Sequence, residues 1–144
     1  MATRLSLEDC QLLDELNRSG GTARISAGQS RHGADRLVDA GLATSRSLNI
    51  SDVEYEMTPL GRKAHVLAQH GIATTDIEKI EAHRSDSNGL WYVKISCPGY
   101  PAVLITVGNA TNLVVHLRHA HVQDLADRFQ EQADRARRFT GSAA

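Results

Sequence analysis

The sequence predicts an α+β protein in two parts. An N-terminal part sets short helices around a two-stranded hairpin, and a C-terminal part is a small antiparallel sheet covered by one helix. Three observations carry this. The stretch "GLATSRSLNISDVEYEMTPLGRKA" (41–64) runs from a helix-ending glycine through an alternating strand to Thr-Pro, which opens another helix. Beyond residue 75, short apolar runs alternate with the turn clusters "SDSNG", "PGYP" and "GNATN". Finally, Val122, Leu125, Ala126, Phe129, Ala133 and Ala136 fall at helical spacing.

The elements follow in order. Ser6 is a suitable N-cap with Asp9 three residues on, a variant of the capping box. Leu5 is placed to staple onto Cys10; Leu12, Leu13 and Leu16 continue an apolar face, and Gly20-Gly21 ends the helix. Residues 22–29, "TARISAGQ", are either a short second helix or a strand-like connector. Ser30 is the expected cap of a helix over about 30–40. Ala34, Leu37 and Val38 form its inner stripe, leaving Arg31, His32, Asp35, Arg36 and Asp39 outward. Gly41 suits the position just past the helix end. "LATSRSL" and "VEYEMT" read as two strands around the turn "NISD". In the second, Val53, Tyr55 and Met57 share one face while Glu54 and Glu56 share the other. Thr58 caps the next helix with Pro59 at its first position, Leu60, Ala64, Leu67 and Ala68 give its apolar face, and Gly71 stops it.

In the second half a strand is expected from within "TTDIEKIEAHR", with Ile77 near its start. "LWYVKISC" places Trp91, Val93 and Ile95 on one face and Tyr92, Lys94 and Ser96 on the other. "AVLITV" reads as a central strand and "LVVHLR" as another. A helix follows from about Val122, and "FTGSAA" reads as a frayed tail.

Composition bounds the function. The chain has 144 residues, enough for one domain or two small ones sharing a core, and 41% of them are hydrophobic. Aromatics make up only 4%, so the core must rest on Leu, Val, Ile and Ala. No apolar run reaches the ~18–20 residues of a membrane helix, and the N-terminus lacks the apolar stretch of a signal peptide. A cytoplasmic protein with no membrane partner is expected. Cys10 and Cys97, far apart in sequence, read as reduced, buried thiols. The formal net charge is −1, which argues against a strongly basic nucleic-acid binder. Its distribution is uneven, however: from Arg18 to Arg46 there are five arginines against only Asp35 and Asp39.

"RLVDAGLATSRSLNISDVEYEMTPLGRKA" resembles the winged-helix transcription regulators of the MarR-like kind. There the pattern L-x-x-x-G-L, a wing, and Y-x-L-T-x-x-G-R recurs; Met57 stands where the pattern has leucine. The resemblance covers about residues 5–70 and consists of structural residues, so it implies the fold more directly than the function. It implies a winged-helix domain over 5–70, with a small sheet-plus-helix module over 75–139. The usual second helix of such domains is apolar, whereas 21–29 is short and nearly featureless.

The resemblance also implies sequence-specific binding of double-stranded DNA for transcriptional control. The recognition helix would be about 30–40 and the wing about 42–57. Ser30, Arg31, His32 and Arg36 are the exposed positions that would reach base edges, Arg46 the wing contact, and Arg24 and Arg18 phosphate contacts. A homodimer would match two half-sites, and the long C-terminal stripe offers one pairing surface. The other reading is a winged-helix protein-interaction module, an adaptor or inhibitor that does not bind DNA, with a protein partner engaged through 75–139. The arginines separate the two: a DNA binder gathers Arg24, Arg31, Arg36 and Arg46 on one face, whereas an interaction module scatters them or pairs them with its own acids. No enzyme activity and no cofactor are expected, since no catalytic or phosphate-binding motif is present. His116, His119 and His121 lie within six residues but lack further ligands at metal-site spacing, so they read as surface or capping histidines. Trp91, Tyr92 and Tyr100 are residues able to stack on a base or small ligand, although core and turn roles are commoner.

Overall fold

The computed structural model describes residues 5–26 and 30–142. It is a mixed α/β structure with five helices and two three-stranded antiparallel sheets among the described residues. The chain divides into two compact units, one through Thr75 and the other from Asp76.

The first unit opens with α1 (Leu7–Arg18). The Ser6 hydroxyl accepts from the Asp9 amide and the Asp9 carboxylate accepts from the Ser6 amide, completing the expected capping box. Leu13 and Leu16 are buried. β1 (Thr22–Ile25) follows, so the ambiguous segment is a strand where it is described; residues 27–29 lie outside the described residues. α2 (His32–Asp39) buries Ala34 and Leu37. Ser30 does not cap it: the cap position is Arg31, whose own side chain makes no capping hydrogen bond. Gly41, at φ +77°, takes the left-handed conformation that ends the helix.

β2 (Ala43–Ser47) and β3 (Val53–Met57) form the expected hairpin. β1 pairs with the other edge of β3, giving the order β1-β3-β2. The alternation of β3 sends Tyr55 and Met57 into the core with Leu13, Leu37 and Leu42. α3 (Pro59–Gln69) is capped by Thr58, whose hydroxyl accepts from the Gly61 amide at 3.0 Å and donates to the Gly41 carbonyl at 2.7 Å. α3 buries Ala64, His65, Val66 and Leu67, while Leu60, expected inward, is 41% exposed. Gly61 packs directly on the Leu42 carbonyl, where a Cβ would sit 2.0 Å from the oxygen.

The second unit contains β4 (Lys79–Arg84), β5 (Trp91–Ser96) and β6 (Val103–Ile105) in that order across an antiparallel sheet. β4 begins two residues after Ile77, and β6 is a three-residue edge strand, not the central strand expected for "AVLITV". The larger correction concerns "LVVHLR": it is helix, within α4 (Val107–His119). Thr106 accepts from the Asn109 amide and caps it, and Ala110, Leu113, Val114 and Leu117 are buried on one face. α5 (Gln123–Ser142) packs on α4, β4 and β5, burying Leu125, Ala126, Phe129, Ala133 and Ala136. The expected tail is helical through Ser142; residues 143–144 lie outside the described residues. No described helix is long and apolar enough to cross a membrane.

Candidate interaction face of the N-terminal unit

The six residues expected to meet DNA fall on three elements. Arg24 lies on β1, Arg46 on β2, and Ser30, Arg31, His32 and Arg36 on or just before α2. The sheet register aligns two of the arginines, since Arg24 and Arg46 both lie opposite Glu54 of the central strand. Arg46 pairs with Glu54 at 3.0 Å. Arg24 turns instead to Asp52. That guanidinium, followed by a hydrogen bond from Asn49, holds the Asp52 carboxyl down at about 2.

Arg36 reaches back to α1, 2.9 Å from Asp9 and 3.4 Å from Glu8. Burial raises the Asp9 carboxyl, but the hydrogen bonds from Ser6 and the charge of Arg36 outweigh it, and the net direction is down. Arg18 pairs with Asp14 at 2.8 Å, and Asp14 also lies 3.2 Å from the buried His65 ring. Arg31 donates to the Ser51 carbonyl at 2.5 Å. His32 and Ser30 are exposed.

These contacts converge on the β2–β3 loop, residues 48–52. Asn49 folds it into an Asx turn, its side-chain oxygen accepting from the amides of Ser51 and Asp52 at 2.8 and 2.9 Å. The Leu48 amide donates to the Asp52 carbonyl at 2.9 Å. Arg24 and Arg31 clamp the loop from β1 and from the start of α2. The result is a fixed turn of uncharged residues, Ser47 to Ser51, with Ile50 fully exposed (105%) at its tip. Sequence reasoning located the turn but missed Ile50, Asn49 and Asp52 as its working parts. The available signal was an isoleucine inside an otherwise polar turn.

A second link fixes α2 to the sheet. The Tyr55 hydroxyl donates to Asp35 at 2.7 Å. Burial, reinforced by that hydrogen bond and by the Asp35 charge, pushes the phenol up to about 12. Asp35, expected simply to face outward, therefore has a structural task. Over residues 1–75 there are eight Lys and Arg against nine Asp and Glu, a formal net charge of −1, so the unit is not basic.

Among the described residues no group of three or more His, Cys, Asp or Glu is placed to hold a metal ion. His116 and His119 lie on the last turn of α4, and His121 follows in the link to α5. Burial pushes both thiols up, with the nearby charges of Asp9 on Cys10 and Asp76 on Cys97 adding to it, so neither is primed as a nucleophile. Trp91 stacks on Phe139 with ring centroids 4.6 Å apart.

A protein-family profile described as DUF3860-like matches residues 5–67, which is similarity confined to the N-terminal unit. Comparison with curated proteins gives no match, and comparison with solved structures gives none.

Proposed function

We propose that residues 5–70 are a winged helix used as a protein-interaction module, an adaptor or inhibitor, with the β2–β3 loop as its contact. The carrying observation is how Arg24 and Arg31 are used: they hold up a loop whose outer stretch, Ser47 to Ser51, is uncharged and carries Ile50 at its tip. An exposed apolar side chain on a preorganised loop loses little entropy on binding, and it can fill a pocket on a partner. A phosphate-tracking wing would instead carry cations where Ser47 to Ser51 stand. The connectivity α1-β1-α2-β2-β3-α3, with the strand order β1-β3-β2, supports the winged-helix assignment.

The test is capture of a partner by the wild-type chain and by Ile50→Asp. The reading expects a protein retained by the first and lost from the second. Equal retention by both, or retention of duplex DNA by the wild type, contradicts it.

Sequence-specific DNA binding as a homodimer is the second reading. Arg46 favours it: its side chain is 72% exposed in the wing, and its exposed pair with Glu54 is weak enough for a phosphate to replace. In that case two recognition helices would lie about 34 Å apart.

A further inference from the structure

In the C-terminal unit, Leu90, Trp91 and Tyr92 at the start of β5, Val107 at the start of α4, and Arg137 and Thr140 on α5 line a cavity of about 360 Å³. That is the size of a small-ligand site. Its walls are braced. Phe139 stacks behind Trp91 at 4.6 Å with 27° between the planes, and the Arg135 guanidinium lies 5.9 Å from the Phe139 ring centre. Asn88 donates to the Tyr92 hydroxyl at 2.9 Å.

The charge in this cavity has one sign. Among the described residues, Arg137 is the only cation of its lining and no acid lines it. Arg137 donates through Nη1 to Asp134 at 3.0 Å and through Nη2 to Thr111. A guanidinium carries five N–H groups, so these two bonds leave donors over. The pair with Asp134 is an exposed i,i+3 contact, and such contacts are weak. An anion of suitable shape can therefore share this arginine.

We propose that the cavity binds a small monocarboxylate with an apolar body, its carboxylate on Arg137 and its body against Leu90, Trp91 and Val107. A second charge on the ligand would find no further cation in the described lining, only the hydroxyls of Tyr92, Thr106 and Thr140, so a monocarboxylate with an apolar body fits it better than a dicarboxylate or a nucleotide.

Trp91 is the single tryptophan, so its emission reports directly on the cavity. The chain is titrated with octanoate, with its neutral isostere octanamide, and with succinate. Octanoate should shift the emission saturably and bind about tenfold tighter than octanamide, the size of one charge-assisted hydrogen bond. Succinate should leave the emission unchanged. Arg137→Met should erase the difference between octanoate and octanamide, and Val107→Phe, which fills the cavity, should weaken both. The proposal is overturned if octanoate gives no saturable change, if octanamide binds as well in the wild type, or if succinate competes with octanoate. The wild-type comparison needs no variant to fold.

Discussion

Arg31 Nη2 lies 2.5 Å from the carbonyl oxygen of Ser51, joining the first residue before α2 to the loop between β2 and β3. A side chain expected to read bases is thus engaged in holding a turn. Arg31→Ala should lower stability by about 1 kcal/mol, the ordinary value of one such bond. The more specific effect is local: the amides of Leu48, Ser51 and Asp52 should exchange several-fold faster while the core amides keep their rates. Uniform exchange across the unit would show that Arg31 is not a clamp.

Asp52 sets an acid limit. Its carboxyl is held at about 2 against an ordinary 3.8. A depressed folded value stabilises the fold above the unfolded value, and that contribution disappears as pH falls toward the folded one. The loss therefore lies between about pH 4 and about pH 2. Denaturant midpoints at about pH 7 and about pH 3 should differ less for Asp52→Asn than for the wild type. Identical acid dependence would remove Arg24 as its partner.

Tyr55 gives the opposite sign at the alkaline end. Its phenol is pushed up to about 12, so its contribution is whole below the ordinary value of 10 and is lost as pH rises through 12. Tyr55→Phe keeps the packing of a ring that is 2% exposed but drops the bond to Asp35. A cost of about 1 kcal/mol is expected, since the exposed Asp35 carboxylate regains water. The absorbance of the phenolate, read as wild type minus variant, should show one group titrating near 12. A difference curve centred near 10 would mean that Asp35 does not restrain the ring.

Gly61 is required by its neighbours. A Cβ there would meet the Leu42 carbonyl oxygen at 2.0 Å and Met57 Cγ at 2.8 Å. The oxygen is backbone, so α3 itself must move. Gly61→Ala should cost about 1–3 kcal/mol, read as a lowered denaturation midpoint. A neutral result would show that α3 is free to shift from Leu42.

The local signals of the first unit were legible because they are short-range. Ser6 with Asp9, the alternation of Val53 to Met57, and Thr58-Pro59 each act within a few residues, and each element formed where they placed it. The arginine partners were not legible. Arg24 and Asp52 are 28 positions apart, and only the pairing of β1 with β3 brings them together. The helix at 107–119 was misread because β-branched Val114 and Val115 follow "GNATN", which reads as a turn. Ala110, Leu113, Val114 and Leu117 nonetheless stand at helical spacing, with Thr106 as a cap. Residues 120–122 then link α4 to α5.

The central claim is that the N-terminal unit uses its arginines on itself and meets a protein. The most direct measurement is retention of a random duplex DNA pool at two salt concentrations by the wild type and by Arg46→Ala. The account predicts no retention of any sequence even at low salt. Selective enrichment that weakens with salt and is lost in Arg46→Ala would contradict it and establish the DNA-binding reading in its place.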